Sequence, residues 1–188
     1  MDDKVAVFES ELKRIYNKRV REFTRLCVTQ APDYLFIDCP ASTTGKYHPL
    51  DELGPDGVII HTKKVFTVAY ELCKGTDCES NRDLILSACI CHDLVKQGDP
   101  PTGHTHKLHN EFGVKLIDDV QNDTLMLDEY QHIVVRNCVG YHYGPWSTEP
   151  WLKPINQYTP EELTVYMADF VASKRFVHVD YEREETYV

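Results

Sequence analysis

One segment constrains this chain more than any other: Leu84, Ile85, Leu86, Ala88, Cys89, Ile90, Cys91 and Leu94 follow one another so closely that a helix there is apolar on every side. Such a helix passes through the middle of a domain rather than along its surface. His92 and Asp93 stand at its end. An isolated carboxylate in that position would cost several kcal/mol or be forced to take up a proton, so Asp93 needs a partner. Beside it are His92 and, one turn on, Lys96, while further histidines stand at the ends or inner faces of other predicted helices. A cation bound by imidazoles and carboxylates would resolve the burial of all these groups together. A single histidine is more often a hydrogen-bonded core or surface residue; the joint pattern carries the reading.

The rest of the chain supplies helices to surround that segment. Val5, Phe8, Leu12, Ile15, Phe23 and Leu26 recur at helical spacing and predict one long amphipathic scaffold helix within residues 1–30. Pro32, Pro40, Gly45, Pro49, Gly54, Pro55 and Gly57 make 31–57 a long structured loop. A second helix is expected from Val58 to Cys73, and a third from Glu79 to Lys96, ended by Gly98 and Pro100-Pro101. A fourth, Lys107 to Val120, aligns His109 with Phe112, Gly113, Leu116, Ile117 and Val120. A fifth, Leu127 to Tyr141, aligns Tyr130, Ile133, Val134, Cys138 and Tyr141. The sixth opens with the capping box Thr159-Pro160-Glu161-Glu162 and buries Leu163, Tyr166, Met167, Phe170 and Val171, with Asp169 at the edge of the stripe. No strand pattern, internal repeat, low-complexity segment or dinucleotide-binding glycine motif is evident. The expected fold is all-α, a single domain over 1–188 of about six or more helices, with its metal-binding helical core at 58–175 and a tail at 176–188.

Composition narrows the partners. With 188 residues and 42% hydrophobic content the chain can build one sizeable core. Lys plus Arg number 20 against 30 Asp plus Glu, a formal charge of −10 that disfavours broad binding to an extended duplex but leaves small anions open at a local cationic site. The seven cysteines are irregularly spaced and several lie in apolar stretches; Cys73 and Cys78 have no second pair at zinc-finger spacing, so free thiols in a reducing compartment are expected. The N-terminal residues have no apolar signal region, and no run of about 18 uncharged apolar residues appears. The expectation is a soluble cytoplasmic protein with no membrane partner.

In order along the chain stand Gly57-Val58-Ile59-Ile60-His61-Thr62, then Cys91-His92-Asp93-Leu94-Val95-Lys96, then His109 with Gly113, then His142-Tyr143-Gly144, and last Ala168-Asp169. This series resembles the HD superfamily of metal-dependent phosphohydrolases, over residues 36 to 175. Within it, Pro40-Ala41-Ser42 and Gly45-Lys46-Tyr47-His48 look like the loop of the HD domain of bacterial 3′-to-5′ exoribonucleases. The resemblance implies an HD-type helical bundle in which His61, His92, Asp93 and Asp169 bind one metal and Asp93 bridges to a second on His109 and His142. Relatives with two metals often show His-His-Gly where this chain has His142-Tyr143-Gly144, which leaves a second metal fewer protein ligands. Imidazole and carboxylate ligands suit one or two ions of Mn, Fe, Co, Ni or Zn better than Mg or Ca.

A divalent ion acidifies the water it binds and offsets charge developing on a phosphoryl oxygen, so Asp93 and Lys96 are the expected catalytic pair. Lys96 resembles the lysine of the His-Asp-x-x-Lys motif and could contact phosphate; a solvent-exposed helix-end lysine is an equal reading. Lys46, His48 and Trp146 are further substrate-binding candidates, Trp146 either stacking on a base or anchoring its loop. Lys63 and Lys64 are nearby basic candidates for phosphate contacts. His104 and His106 read as loop-surface residues, and His132 and His178 as structural. The leading functional expectation is hydrolysis of a phosphoester in a nucleotide or short oligonucleotide. The alternatives are a 3′-to-5′ exonuclease on single-stranded RNA or DNA and a nucleotide-binding module without turnover. Oligomeric state is left open.

Overall fold

A computed structural model describes residues 3–46 and 48–174, and every regular element within them is helical. The α-helices are α1 (Asp3–Ala6), α2 (Glu9–Leu12), α3 (Lys18–Gln30), α4 (Tyr34–Ile37), α5 (Gly57–Cys73), α6 (Arg82–Cys91), α7 (His109–Thr124), α8 (Glu129–Tyr141) and α9 (Pro160–Ala172). Short 3-10 turns stand at Leu50–Glu52, Asp77–Asn81, Gly144–Trp146 and Ile155–Gln157. The fold is the all-α bundle expected of the sequence. Tyr47, His178 and the tail at 176–188 lie outside the described residues. Among the described residues no helix is long and apolar enough to cross a membrane.

The N-terminal scaffold is not one helix. Val5, Phe8, Leu12, Ile15 and Phe23 are all buried as their spacing requires, but α1, α2 and α3 carry them in three pieces. Asn17 makes the last break. Its side-chain oxygen accepts the free N–H groups of Arg19 and Val20 at the start of α3, and its own N–H donates to Asp83 at 2.6 Å. A cap of this kind starts a helix and interrupts any helix running through it. The 31–57 loop contains the four-residue α4 and the turn at Leu50–Glu52.

The central segment behaves as its composition demands. Every residue from Leu84 to Cys91 in α6 is buried, and α6 packs against α3, α5, α8 and α9. Each leucine or isoleucine so buried contributes about 1.5–3 kcal/mol. The expected helix to Lys96 stops at Cys91, however. Beyond it the chain tightens into turns, with Lys96 N–H donating to Asp93 O at 3.1 Å and Gly98 N–H to Val95 O at 2.9 Å. His92 and Asp93 therefore leave the helix rather than end it.

Two expected stripes are rotated. On α8, Tyr130 and Ile133 are exposed, and Val135, Cys138 and Val139 face inward. On α9, Leu163, Met167 and Phe170 are exposed, while Val165, Tyr166, Ala168 and Ala172 are buried. Ala168 and Ala172 are fully buried, and α9 packs against α5, α6 and α8. The capping box at Thr159 and Glu162 forms as expected.

Two glycines bring elements close enough to build a site. A Cβ on Gly57 would lie 2.1 Å from the backbone oxygen of Glu52, so only glycine lets the loop fold against the start of α5. A Cβ on Gly113 would stand 3.0 Å from Val139 and 3.4 Å from the His92 carbonyl, where α7 meets α8 and the end of α6. The N-terminal break is testable: Asn17→Ala is expected to lower stability by about 1 kcal/mol through the lost cap, read from urea unfolding monitored by circular dichroism.

Candidate metal centre

Asp93 is buried at the point where five helix ends and faces converge. Its Oδ2 accepts from Lys96 Nζ at 2.6 Å and lies 3.3 Å from His92 Nε2. Its Oδ1 faces the other way, 3.4 Å from His109 Nε2 and 3.6 Å from His142 Nε2. His92 follows the last residue of α6, His109 opens α7, and His142 follows the last residue of α8. His61 comes from the second turn of α5 and Asp169 from α9, with His61 Nε2 2.8 Å from Asp169 Oδ1.

Backbone carbonyls fix three of these rings in one tautomer. His92 Nδ1 is 2.8 Å from Cys89 O, His109 Nδ1 2.9 Å from His106 O, and His142 Nδ1 2.6 Å from Val139 O. A carbonyl only accepts, so Nδ1 carries the hydrogen, and Nε2 of the neutral ring is a bare lone pair. Burial pushes His109 well below its ordinary pKa and the nearby Lys96 cation adds to this, which keeps the ring neutral. His109 Nε2 and His142 Nε2 nevertheless stand 3.1 Å apart. Two facing lone pairs repel unless a cation lies between them.

The unsatisfied atoms agree. Among the described residues His92 Nε2 and Asp93 Oδ1 are buried without a hydrogen-bond partner, a costly condition for polar atoms in a native core. Asp93, His109 and His142 place one ligand atom each within 4.8 Å of one another, and so do His61, His92 and Asp169. Zn–N and Zn–O bonds are about 2.0–2.2 Å long, so donors at these separations suit a shared ion. The donor set fits divalent transition metal ions, and the two oxygens of Asp93 face the two groups separately.

Electrostatics keep the site charged. Burial alone would lower His61, but the Asp169 and Glu52 carboxylates outweigh it and raise its pKa to about 9. Burial would raise Asp169, yet its hydrogen bond from His61 holds it below the usual carboxylate range. Asp93 is likewise held well below that range, against burial, chiefly by Lys96 and His92. Lys96 is raised, against burial, by Asp93 and Asp169, and so remains a cation although it is only 7% exposed. It is not the solvent-exposed lysine that one sequence reading allowed.

The structure does not bring every expected residue to the centre. Lys64 is fully buried between Asp51 and Glu52, at 2.8 and 2.7 Å, and Lys63 pairs with Glu11 at 2.7 Å, so neither is placed for phosphate. Lys46 stays at the exposed surface of its loop. His104 is exposed, its Nδ1 3.0 Å from the Thr102 carbonyl. His106 packs edge-on to Phe112, and His132 pairs with Asp118 beside Arg136. Trp146 is 56% exposed in the turn after His142, its ring 6.2 Å from Tyr143, which itself stands edge-on to His109 at 4.6 Å. All seven cysteines are buried free thiols. His48, by contrast, is brought in: its ring lies 4.9 Å from that of His61.

Glu52 is the residue that sequence reasoning missed. It is fully buried, with Oε1 accepting from Lys64 at 2.7 Å and Oε2 2.6 Å from His48 Nδ1 and 3.2 Å from His61 Nδ1. Burial would raise its pKa, but the two imidazoles and Lys64 bring it down to about 2. The only sequence signals were His48 four positions before it and a lysine, Lys64, inside the apolar run of α5.

A family model described as the HD domain matches residues 58–173, which contain all six expected metal ligands. The chain belongs to the HD-domain family, a superfamily of metal-dependent phosphohydrolases. No curated protein and no solved structure matches it. The Lys96–Asp93 pair makes a measurable claim about the metal-free protein. Lys96→Met leaves a buried carboxylate without its cation and is expected to cost about 3–5 kcal/mol. Mn²⁺ should recover more stability in the variant than in the wild type, read by urea unfolding with and without the metal.

Proposed function

We propose that this domain hydrolyses a phosphoester of a nucleotide or short oligonucleotide with the help of one or two divalent transition metal ions, drawn from Mn, Fe, Co, Ni and Zn. The observation that carries the reading is the pair of Nε2 lone pairs on His109 and His142, 3.1 Å apart, with the unpartnered Asp93 Oδ1 beside them. His61, His92, Asp93 and Asp169 would hold one ion; Asp93, His109 and His142 would hold the other, with Asp93 shared. Such ions acidify water and offset negative charge on phosphoryl oxygens. The carbonyls of Cys89, His106 and Val139 keep the imidazoles aimed. Lys96 supplies a buried cation at Asp93 Oδ2, from which it can take a phosphate oxygen. Trp146, exposed beyond Tyr143, offers a flat face to a base. The overall charge of −10 favours a small anionic substrate over an extended duplex.

A second reading, exonucleolytic trimming of single-stranded RNA or DNA, draws on the 31–57 loop, which delivers His48 to the rim of the centre. Incubation with Mn²⁺ separates the two: release of phosphate from mononucleotides supports the first, stepwise shortening of an end-labelled oligonucleotide the second. Chelation should abolish either. Asp93→Asn is expected to lose bound metal and turnover together while its circular dichroism stays helical; a metal-free variant that still turns over would sink the proposal. Nucleotide binding by the wild type without hydrolysis of any substrate would leave a non-catalytic module.

A further inference from the structure

Glu52 is a buried carboxylate outside the ligand sets above, and its two oxygens are used unequally. Oε1 is taken by Lys64 Nζ at 2.7 Å. Oε2 serves two imidazoles at once, His48 Nδ1 at 2.6 Å and His61 Nδ1 at 3.2 Å. The backbone around it is pinned. Ala41 N–H donates to Glu52 O at 2.9 Å, and Gly57 leaves no side chain to push that oxygen away. The carboxylate is therefore held in a fixed place beside the centre.

A carboxylate beside Nδ1 draws the ring hydrogen to that nitrogen and leaves Nε2 free to face the opposite way. For His61 the opposite way is Asp169, 2.8 Å from Nε2, and the group His61, His92 and Asp169. For His48 it is the rim of the centre. Its side chain is 14% exposed, its ring stands edge-on to His61, and its Nε2 has no hydrogen-bond partner among the described residues. We propose that Glu52 is a positioning residue with two outputs: it aims His61 Nε2 at the metal, and it leaves His48 Nε2 as a lone-pair acceptor for a P–OH group of a bound phosphate. Lys64 is its counter-charge and supplies neither output. This rests on the reading of His61 as a metal ligand.

The test uses the full chain, stripped of metal by chelation and titrated with Mn²⁺ alone by calorimetry, then loaded with Mn²⁺ and titrated with inorganic phosphate. Glu52→Gln is expected to weaken Mn²⁺ binding by about 10–100-fold, the usual effect of losing a carboxylate behind a ligating histidine. The double variant Glu52→Gln/Lys64→Gln removes the uncompensated buried lysine and should regain stability without regaining Mn²⁺ affinity. Lys64→Gln alone should bind Mn²⁺ as the wild type does. His48→Asn should leave Mn²⁺ binding unchanged and weaken phosphate binding about tenfold, the loss of one hydrogen bond to a charged group. Wild-type Mn²⁺ affinity in the double variant would overturn the positioning role and reduce Glu52 to neutralising Lys64. Loss of Mn²⁺ binding in His48→Asn, or unaltered phosphate binding there, would overturn the substrate-facing output. His61→Ala separates the premises: if it binds Mn²⁺ as the wild type does, the ligand assignment itself fails, whereas if it alone loses the metal, only the role of Glu52 does.

Discussion

The charge on Asp93 organises the surrounding structure. It follows the most apolar helix of the chain and is 1% exposed, so its ionised form needs positive charge beside it. Lys96 provides one cation at 2.6 Å, and three imidazoles approach the carboxylate to between 3.3 and 3.6 Å. Those partners come from the end of α6, the start of α7 and the end of α8, so the carboxylate ties together helices that the core alone would only stack. Removing any one partner leaves a buried charge or lone pair, which is why the centre is assembled as a unit.

Helix termini supply the geometry. The last turn of a helix leaves carbonyls without an intrahelical partner. Cys89 and Val139 lie in the last turns of α6 and α8, and their carbonyls receive the Nδ1 hydrogens of His92 and His142. His106, just before α7, does the same for His109. A ligating histidine placed three residues after a carbonyl in such a turn thus has its tautomer set locally. His61 cannot use that device because it lies inside α5, where carbonyls are occupied by the helix. Its Nδ1 faces a side-chain carboxylate, Glu52, brought in by a loop distant from the end of that helix.

On the proposed function, the same arrangement would let an acidic chain accept an anion. The formal charge of −10 is spread over the protein, whereas Lys96 holds a cation among the buried histidines of the centre. In a recess of low dielectric such groups act strongly at short range, and metal ions would add to them.

Sequence alone determined the all-α class, the central helix, the ordered His and Asp series and the capping box before α9, because each is written in local spacing or in an apolar run. It also exposed the problem of Asp93, since a carboxylate after such a run must find a cation. Tertiary structure decided what spacing cannot encode. Asn17 was legible as a residue type, but its break in the N-terminal scaffold depends partly on Asp83, far along the chain. The inner face of α9, which packs on α5, α6 and α8, took Val165, Tyr166, Ala168 and Ala172, and Leu163, Met167 and Phe170 were left outward. Lys64 read as a candidate for phosphate contact and Glu52 drew no reading, because burial of a loop glutamate requires a glycine on another element and three partners that meet only in the fold. Local sequence fixes which groups carry charge; only packing decides which of those charges lose their water and must satisfy one another.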